Sequence, residues 1–485
     1  HRRRHSFPTR RSSDLVDVMD SPKMGEVTKE WVLEFVRAIF GSYNPETRRR
    51  LIREFFLLIS KKNTKSTIAA GIMMTALILN DRQSAELIII APTKEVADNS
   101  FNPIRDFIRA DPELSEMMNI SEHTKTVTHL GTNATLKVIA AESNAAAGKK
   151  ASIILIDEVW LFGKRANAES MFREAKGGLA SRPEGCVIYL STMSDEMPCG
   201  VFKQLLDYAR DVRDGIKEDK SFLPLIYEFP KQLIEDGEHL KPENFYITNP
   251  NLGASVDLEY LISEFNKVKD AGEESLRDFL AKHLNIEIGL NLRANRWAGA
   301  EFWLQQARKL SLDDIIEQSD VLEIGGDGGG LDDLLGFAVL GRHKETREWL
   351  LYNHAWCHQI VLERRKSEAP KLLDFVKEGS LTVYENVGDD IAELAAIAKQ
   401  VYDSGKLDKV GLDPLMLGGL LDGLLDVGIP QEQIIGIPQG YKLAGYLQTL
   451  ERKLAGCELW HQGLGLMAWV AGNARIRSEE RRVGK

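Results

Sequence analysis

The chain predicts an α/β protein of two successive units, the first on a mostly parallel sheet and the second on a mixed sheet. Three observations carry that reading. At 485 residues the chain exceeds what one hydrophobic core usually holds. Its first half repeats short, nearly continuous apolar runs, as strands buried on both faces do when helices lie between them. After a charged, helical stretch, strands begin again near residue 321 in close succession.

In chain order, residues 31–41 have the period of a short amphipathic helix with a glycine stop. Residues 54–67 run from apolar strand through polar loop into helix. Strands are then expected at 87–91, 135–140, 153–157 and 186–192, each a short β-branched or apolar run. From about 207 to 285 the pattern turns helical and charged, clearest at 257–269 and 273–284. The first domain is expected over 16–290 and a junction over 291–320. The second domain, 321–476, opens with strands at 321–326, 335–341 and 348–353, an antiparallel meander. Helices at 362–377 and 389–402, a strand at 409–413 and a helix at 417–425 complete it. A mixed sheet flanked by helices, with carboxylates at strand ends, suits a ribonuclease-H-like fold.

Composition narrows the class. Apolar residues make up 43% and charged residues 28%, the proportions of a soluble globular protein. The longest strongly apolar run, 68–79, is about a dozen residues, short of the roughly 20 that span a membrane. Four scattered cysteines form no CxxC spacing, which argues against zinc and disulfides and for a reducing, cytoplasmic setting. The net charge of −10 does not favour nucleic-acid binding, although basic side chains lining one channel would suffice. Residues 1–15 and 477–485 resemble translated adapter sequence. The first is arginine-rich without an apolar core, so it is no secretory signal, and a basic nucleic-acid-binding arm is its competing reading. The natural protein is then expected to continue beyond about 476, leaving the second domain truncated.

Two segments carry nucleotide chemistry. In Ser60-Lys61-Lys62-Asn63-Thr64-Lys65-Ser66-Thr67, Lys65 and Ser66 stand where a phosphate loop places its lysine and its Mg²⁺-binding hydroxyl. Ile59 and Thr64 occupy the usual glycine positions. Lys61 and Lys62 add positive charge, and the helix that follows would point its N-terminus at the anion. Ile153-Ile-Leu-Ile-Asp157-Glu158 supplies the acidic partner, with Asp157 for the Mg²⁺ shell and Glu158 to polarise water. Each segment alone could be an ordinary loop or strand exit. Both in order, between strands, point to a P-loop ATPase. Ser191-Thr192-Met-Ser194 could sense the γ-phosphate, or form a strand-terminal turn.

A second acidic centre lies downstream. Gly325-Gly-Asp327-Gly-Gly-Gly-Leu-Asp332-Asp333 and Val410-Gly-Leu-Asp413-Pro414 each end an apolar strand with a carboxylate. Two such groups side by side can hold Mg²⁺ or Mn²⁺ ions about 4 Å apart for phosphodiester cleavage. On spacing alone, aspartates beside glycines are more often turn residues.

These stretches together resemble the large terminase subunit of tailed bacteriophages, over nearly all of 27–476. Pro438-Gln-Gly-Tyr441, Leu459-Trp-His461 and Met467-Ala-Trp-Val-Ala-Gly-Asn473 add to the likeness. The resemblance implies a packaging ATPase joined to a ribonuclease-H-like endonuclease, using ATP and Mg²⁺, with Mn²⁺ possible at the nuclease. It implies that Lys61, Lys62, Asn63, Thr64, Lys65, Ser66, Thr67 and Asp157 bind nucleotide, that Ser66 and Asp157 support the metal, and that Glu158 is catalytic. Thr192 falls in the coupling motif. Asp327 and Asp413 would be catalytic metal ligands and Asp333 an auxiliary one. The implied partners are double-stranded DNA, a portal protein, a small terminase subunit and copies of the same chain in a ring on the portal, with a monomer in isolation. The implied setting is the host cytoplasm during assembly, outside the mature virion. The family's third nuclease carboxylate finds no match in residues 474–485, so cutting is expected to be impaired. A helicase-like or repair ATPase with a non-catalytic second domain is the alternative, and a non-catalytic scaffold is a third reading.

Overall fold

A computed structural model describes residues 24–141, 151–165, 167–288, 297–366, 368–414, 417–438 and 443–474. The adapter-like ends and residues 439–441 lie outside them. Two compact units divide after Ile288.

In the first unit the strands are β1 (Glu54–Leu58), β2 (Glu86–Ala91), β3 (Met118–Ser121), β4 (Thr126–His129), β5 (Ala134–Ala140), β6 (Ala151–Ile156), β7 (Cys186–Ser191) and β8 (Phe222–Ile226). They form one sheet in the order β8-β1-β7-β6-β2-β5-β4-β3, parallel except where β4 meets β3 and β5. Phe55, Phe56, Leu57 and Leu58 have no exposed surface, so β1 is buried on both faces, as its unbroken apolar run requires. One face packs against α1 (Glu30–Gly41), α2 (Lys65–Ile78) and α3 (Lys94–Ala110). The other packs against α4 (Ala168–Gly177) and α5 (Gly200–Arg213). The helix α2 is apolar all round because it lies wholly inside the unit.

Strand β8 corrects the sequence reading, which had this region as helical. Its Phe-Leu-Pro-Leu-Ile run carries a proline, which an edge strand tolerates, and β8 is the edge beside β1. Two helices follow as expected, α6 (Leu258–Ala271) and α7 (Glu273–Leu284).

In the second unit α8 (Leu312–Gln318) leads into the sheet. Its sheet comprises β9 (Ser319–Gly328), β10 (Leu334–His343), β11 (Trp349–His358), β12 (Leu381–Tyr384), β13 (Leu407–Leu412), β14 (Ile434–Gly436) and β15 (Leu459–His461). The order is β12-β11-β10-β9-β13-β14, with β15 also pairing β11. The meander β9-β10-β11 is antiparallel as expected, while β13 joins β9 in parallel. Helices α9 (Ala369–Glu378), α10 (Asp389–Asp403), α11 (Leu417–Asp426), α12 (Ala444–Ala455) and α13 (Gly465–Asn473) surround it. The expected 362–377 helix is two pieces, since Pro370 restarts the helix in the first turn of α9. Trp297, Trp303, Leu312 and Ile315, in the expected junction, are core residues of this unit.

Candidate functional site

Strands β1, β7 and β6 are parallel neighbours, so the loops leaving their C-terminal ends converge. Those loops carry Lys61–Thr64, Thr192 and Asp157–Glu158. In open parallel sheets this is the end where ligands bind. The Lys65 ammonium lies 2.5 Å from Glu158 Oε1 and 3.8 Å from Asp157 Oδ1, and both Lys65 and Asp157 are buried. The two motifs therefore meet as their order in the chain implied.

Their environments separate the two carboxylates. Burial pushes Asp157 up despite Lys65 beside it. Burial also acts on Glu158, but there the Lys65 ammonium overrides it and holds the carboxyl below its ordinary value. Ser100 Oγ donates to Asp157 Oδ2 at 3.1 Å, and Trp160 Nε1 donates to Glu158 Oε2 at 2.7 Å. Glu158 itself has a left-handed backbone at the strand exit, φ 51°. The Glu158 N–H also donates to Asp157 Oδ1 at 2.9 Å, so both carboxylates are fixed by neutral donors as well as by lysine.

The loop solves its missing glycines in an unexpected way. Lys62 and Thr64 adopt φ of 71° and 58°, where a β-carbon is ordinarily strained. Asn63, fully buried, donates to Ser60 O and Asn249 Oδ1 and accepts from the Asn251 N–H. Asn251 Nδ2 donates to Asn63 O and Thr64 Oγ1, and Asn251 Oδ1 accepts from Trp31 Nε1. Ser255 Oγ donates to Lys62 O. Side chains nearly two hundred residues away hold the shape that glycine would adopt freely. The Lys61 and Lys62 side chains point to solvent, whereas Ser66 and Thr67 lie in the first turn of α2, half-buried.

Thr192 is fully buried at the end of β7, and its hydroxyl has no partner among the described residues; the same holds for the Ser60 hydroxyl. Buried hydroxyls are usually satisfied, so two orphans beside a phosphate loop suit a site that takes a polar ligand.

In the second unit the register sets which face the two carboxylates leave. Gly326 pairs with Leu412 across β9 and β13, so Asp327 and Asp413 are the next residues at the same end of adjacent parallel strands. Ile324, Val410 and Leu412 face the core; the alternate positions, Gly325, Asp327, Gly411 and Asp413, share the opposite face. Neighbouring strands lie about 4.8 Å apart, so the two carboxylates leave adjacent strands on one face. Asp333 lies in the β9–β10 turn, where its Oδ1 accepts from the Leu334 N–H. Gly328, Gly329 and Gly330 all have positive φ, and a β-carbon on Gly328 would lie 2.2 Å from Leu334 O, which explains the bare glycine run. Among the described residues, no group of three His, Cys, Asp or Glu is placed to hold a metal ion.

Comparison with known proteins agrees with this geometry. Residues 30–211 match the family described as terminase large subunit, ATPase domain. The terminase large subunit of Enterobacteria phage HK97 is 22% identical over 438 residues, 87% of this chain and 79% of that protein. That of Lactococcus phage p2 is 23% identical over 465 residues, 93% of this chain and 81% of the relative. The chain is similar to terminase large subunits over most of its length, and its residues 30–211 match their ATPase domain. That likeness is to subunits that carry an ATPase domain. The crystal structure of the HK97 large terminase shares the fold, with a TM-score of 0.51 at 19% identity, covering 96% of this chain and 91% of that one.

Several residues that build this candidate site escaped the sequence reading. Trp160, Ser100, Asn249, Asn251, Lys282 and Asn285 are ordinary residues in ordinary local patterns. Asn249-Pro-Asn251 was the one available signal, a turn-forming triplet inside a stretch read as helical.

Proposed function

We propose that the chain is a DNA-packaging motor subunit in which Lys65 and Ser66 bind the phosphates of ATP, Glu158 orients the attacking water, and Asp327 and Asp413 form an endonuclease centre for the DNA being moved. The observation that carries the first part is the buried Lys65–Glu158–Asp157 cluster at the convergence of three strand ends. Lys65 exchanges its bond to Glu158 for phosphate oxygens, and the released carboxylate takes up the water. Trp160 keeps hold of one Glu158 oxygen through that exchange. Thr192, at the end of β7, offers its hydroxyl to the γ-phosphate side and passes its loss along the strand.

Asp157 fits a divalent cation: it is a carboxylate with almost no exposed surface, destabilised as an anion by burial. With the Ser66 hydroxyl it would hold Mg²⁺, which would offset the negative charge of the phosphates. At the second centre the donor chemistry, two carboxylates on one face at adjacent strand ends, suits Mg²⁺ or Mn²⁺. There a bound metal pair supplies activation of water and stabilisation of the leaving oxygen. Asp333 stays a turn residue and at most an auxiliary ligand.

The partners follow from the role: double-stranded DNA, a portal, a small terminase subunit, and further copies of this chain in a ring. The setting that goes with this role is the host cytoplasm during assembly; among the described residues no helix is long and apolar enough to cross a membrane. The deciding experiment is ATP turnover by Glu158→Gln with nucleotide binding measured in parallel. Retained binding with turnover lost supports the assignment, and wild-type turnover refutes it.

A further inference from the structure

Lys282, in the last turn of α7, is a lysine with 3% of its side chain exposed. Its ammonium lies 3.1 Å above the centre of the Trp160 ring. It donates to Met193 O at 3.4 Å, and Asp195 is 3.7 Å away. Its own carbonyl accepts from the Lys61 N–H at 2.8 Å. One residue thus touches the phosphate loop, the indole that holds Glu158, and the residue after Thr192.

A buried cation needs compensation, and this one has little. Asp195 pairs with it only at 3.7 Å and is held more closely by Lys164, at 2.9 Å. Burial pushes the Lys282 ammonium down to about 8, with Lys61 adding repulsion and Asp195, Asp278 and Glu158 opposing it. A methionine would fill the same space without that cost, so the charge has a use other than packing. What it touches most closely is the π-face of Trp160, and a cation on an aromatic face fixes the ring's position. The edge of that ring presents Nε1 to Glu158, and the Trp160 backbone N–H is tied to Ser191 Oγ at 3.1 Å.

We propose that Lys282 is a positioning residue of the ATPase, which through the Trp160 indole fixes the orientation of Glu158 and joins it to the strand end at Met193. This rests on the assignment of Glu158 given above. Lys282 touches no reacting atom; it governs how often Glu158 stands where water can be polarised. Loss of the ammonium leaves the indole free to shift, and the effect falls on turnover, with nucleotide affinity spared.

The test is a cycle of Lys282→Met, Trp160→Phe and the double variant in the full-length chain, reading kcat and KM for ATP, with Lys65→Ala as control. Phenylalanine keeps the ring and removes the donor. Each single variant is expected to lower kcat about tenfold with KM within about threefold. The double variant is expected to be no slower than the worse single, because both act through one bond. Wild-type kcat in Lys282→Met overturns the proposal, as does a double variant slowed by the product of the two single effects. A raised KM with unchanged kcat overturns it too, since Lys282 would then bind phosphate directly. Should Lys282→Met fail to fold, Lys282→Arg carries the test: it keeps the cation on the ring and is expected to retain kcat within about threefold, while a tenfold loss refutes the role. Turnover by Lys65→Ala would sink the nucleotide-site assignment itself, whereas its loss beside normal Lys282→Met sinks this inference alone.

Discussion

Asn251→Ala tests whether distant asparagines replace loop glycines. The carboxamide makes three hydrogen bonds, to Trp31 Nε1 at 2.9 Å, Asn63 O at 3.1 Å and Thr64 Oγ1 at 3.0 Å, and Asn251 is 5% exposed. Each bond contributes about 1 kcal/mol net, and a partner left buried without water costs more, so truncation should cost about 3 kcal/mol. For a unit of this size 1 kcal/mol moves the melting temperature roughly 2–4 °C, so a fall of roughly 6–12 °C is expected for the ATPase transition. Affinity for a fluorescent ATP analogue should weaken about tenfold or more, because Lys62 and Thr64 then relax from their positive φ values. Asn251→Asp is the informative companion. It keeps the acceptor for Trp31 but sets a carboxylate oxygen against Asn63 O, and should bind nucleotide no better than alanine. If Asn251→Ala melts and binds as wild type, the loop holds its shape unaided and the argument fails.

The other predictions are more direct. Lys65→Ala should abolish ATP turnover and also destabilise the chain, because Asp157 and Glu158 lose the cation in direct contact with them; a thermal melt beside the assay separates the two effects. Thr64→Gly should be close to neutral, relief of about 1 kcal/mol of left-handed strain being set against the lost Asn251 bond and added chain entropy; a melting shift beyond about 4 °C either way would contradict that balance. Lys282 titrates lower in the folded chain than in the unfolded one, so the unfolded state binds the extra proton between about pH 8 and 10.5 and stability should rise with pH across that window; Lys282→Met should melt without that rise. For the second centre, Mn²⁺-dependent nicking of plasmid should be lost in both Asp327→Ala and Asp413→Ala, and persistence in either removes that residue from the centre.

What the sequence revealed and what it hid have different physical origins. Strands such as 186–192 were legible because burial on both faces writes itself into consecutive apolar residues. Lys65, Asp157 and Glu158 were legible because phosphate and metal chemistry admits few residue types. The pairing of Asp327 with Asp413 was a guess from strand ends that only register could place on one face. The strand Phe222–Ile226 was hidden by its proline and by charged neighbours with helical period. The asparagine braces were hidden because a contact between positions 63 and 251 leaves no local periodicity.

The braces also constrain how the motor can move. The segment from Phe245 to Asn285 holds three strand ends at once. Asn249 and Asn251 grip the loop after β1, Lys282 carries the indole over Glu158 after β6, and Asn285 Oδ1 accepts from the Met193 N–H after β7. Thr248 and Asn249 are fully buried and Asn285 nearly so, so parting them from the loops would strand several polar groups away from water. At about 1–3 kcal/mol each, that sum rivals the stability of a whole domain. A shift of the segment as one body, with its hydrogen bonds intact, costs far less. Lys61 N–H to Lys282 O and Met193 N–H to Asn285 then act as fixed links. Any displacement of the loop by phosphate loss has to carry α7 with it. The mechanical output of hydrolysis in this chain should therefore be sought in helices α6 and α7, and a spin-label distance between α7 and β2 that stays constant through turnover would refute that.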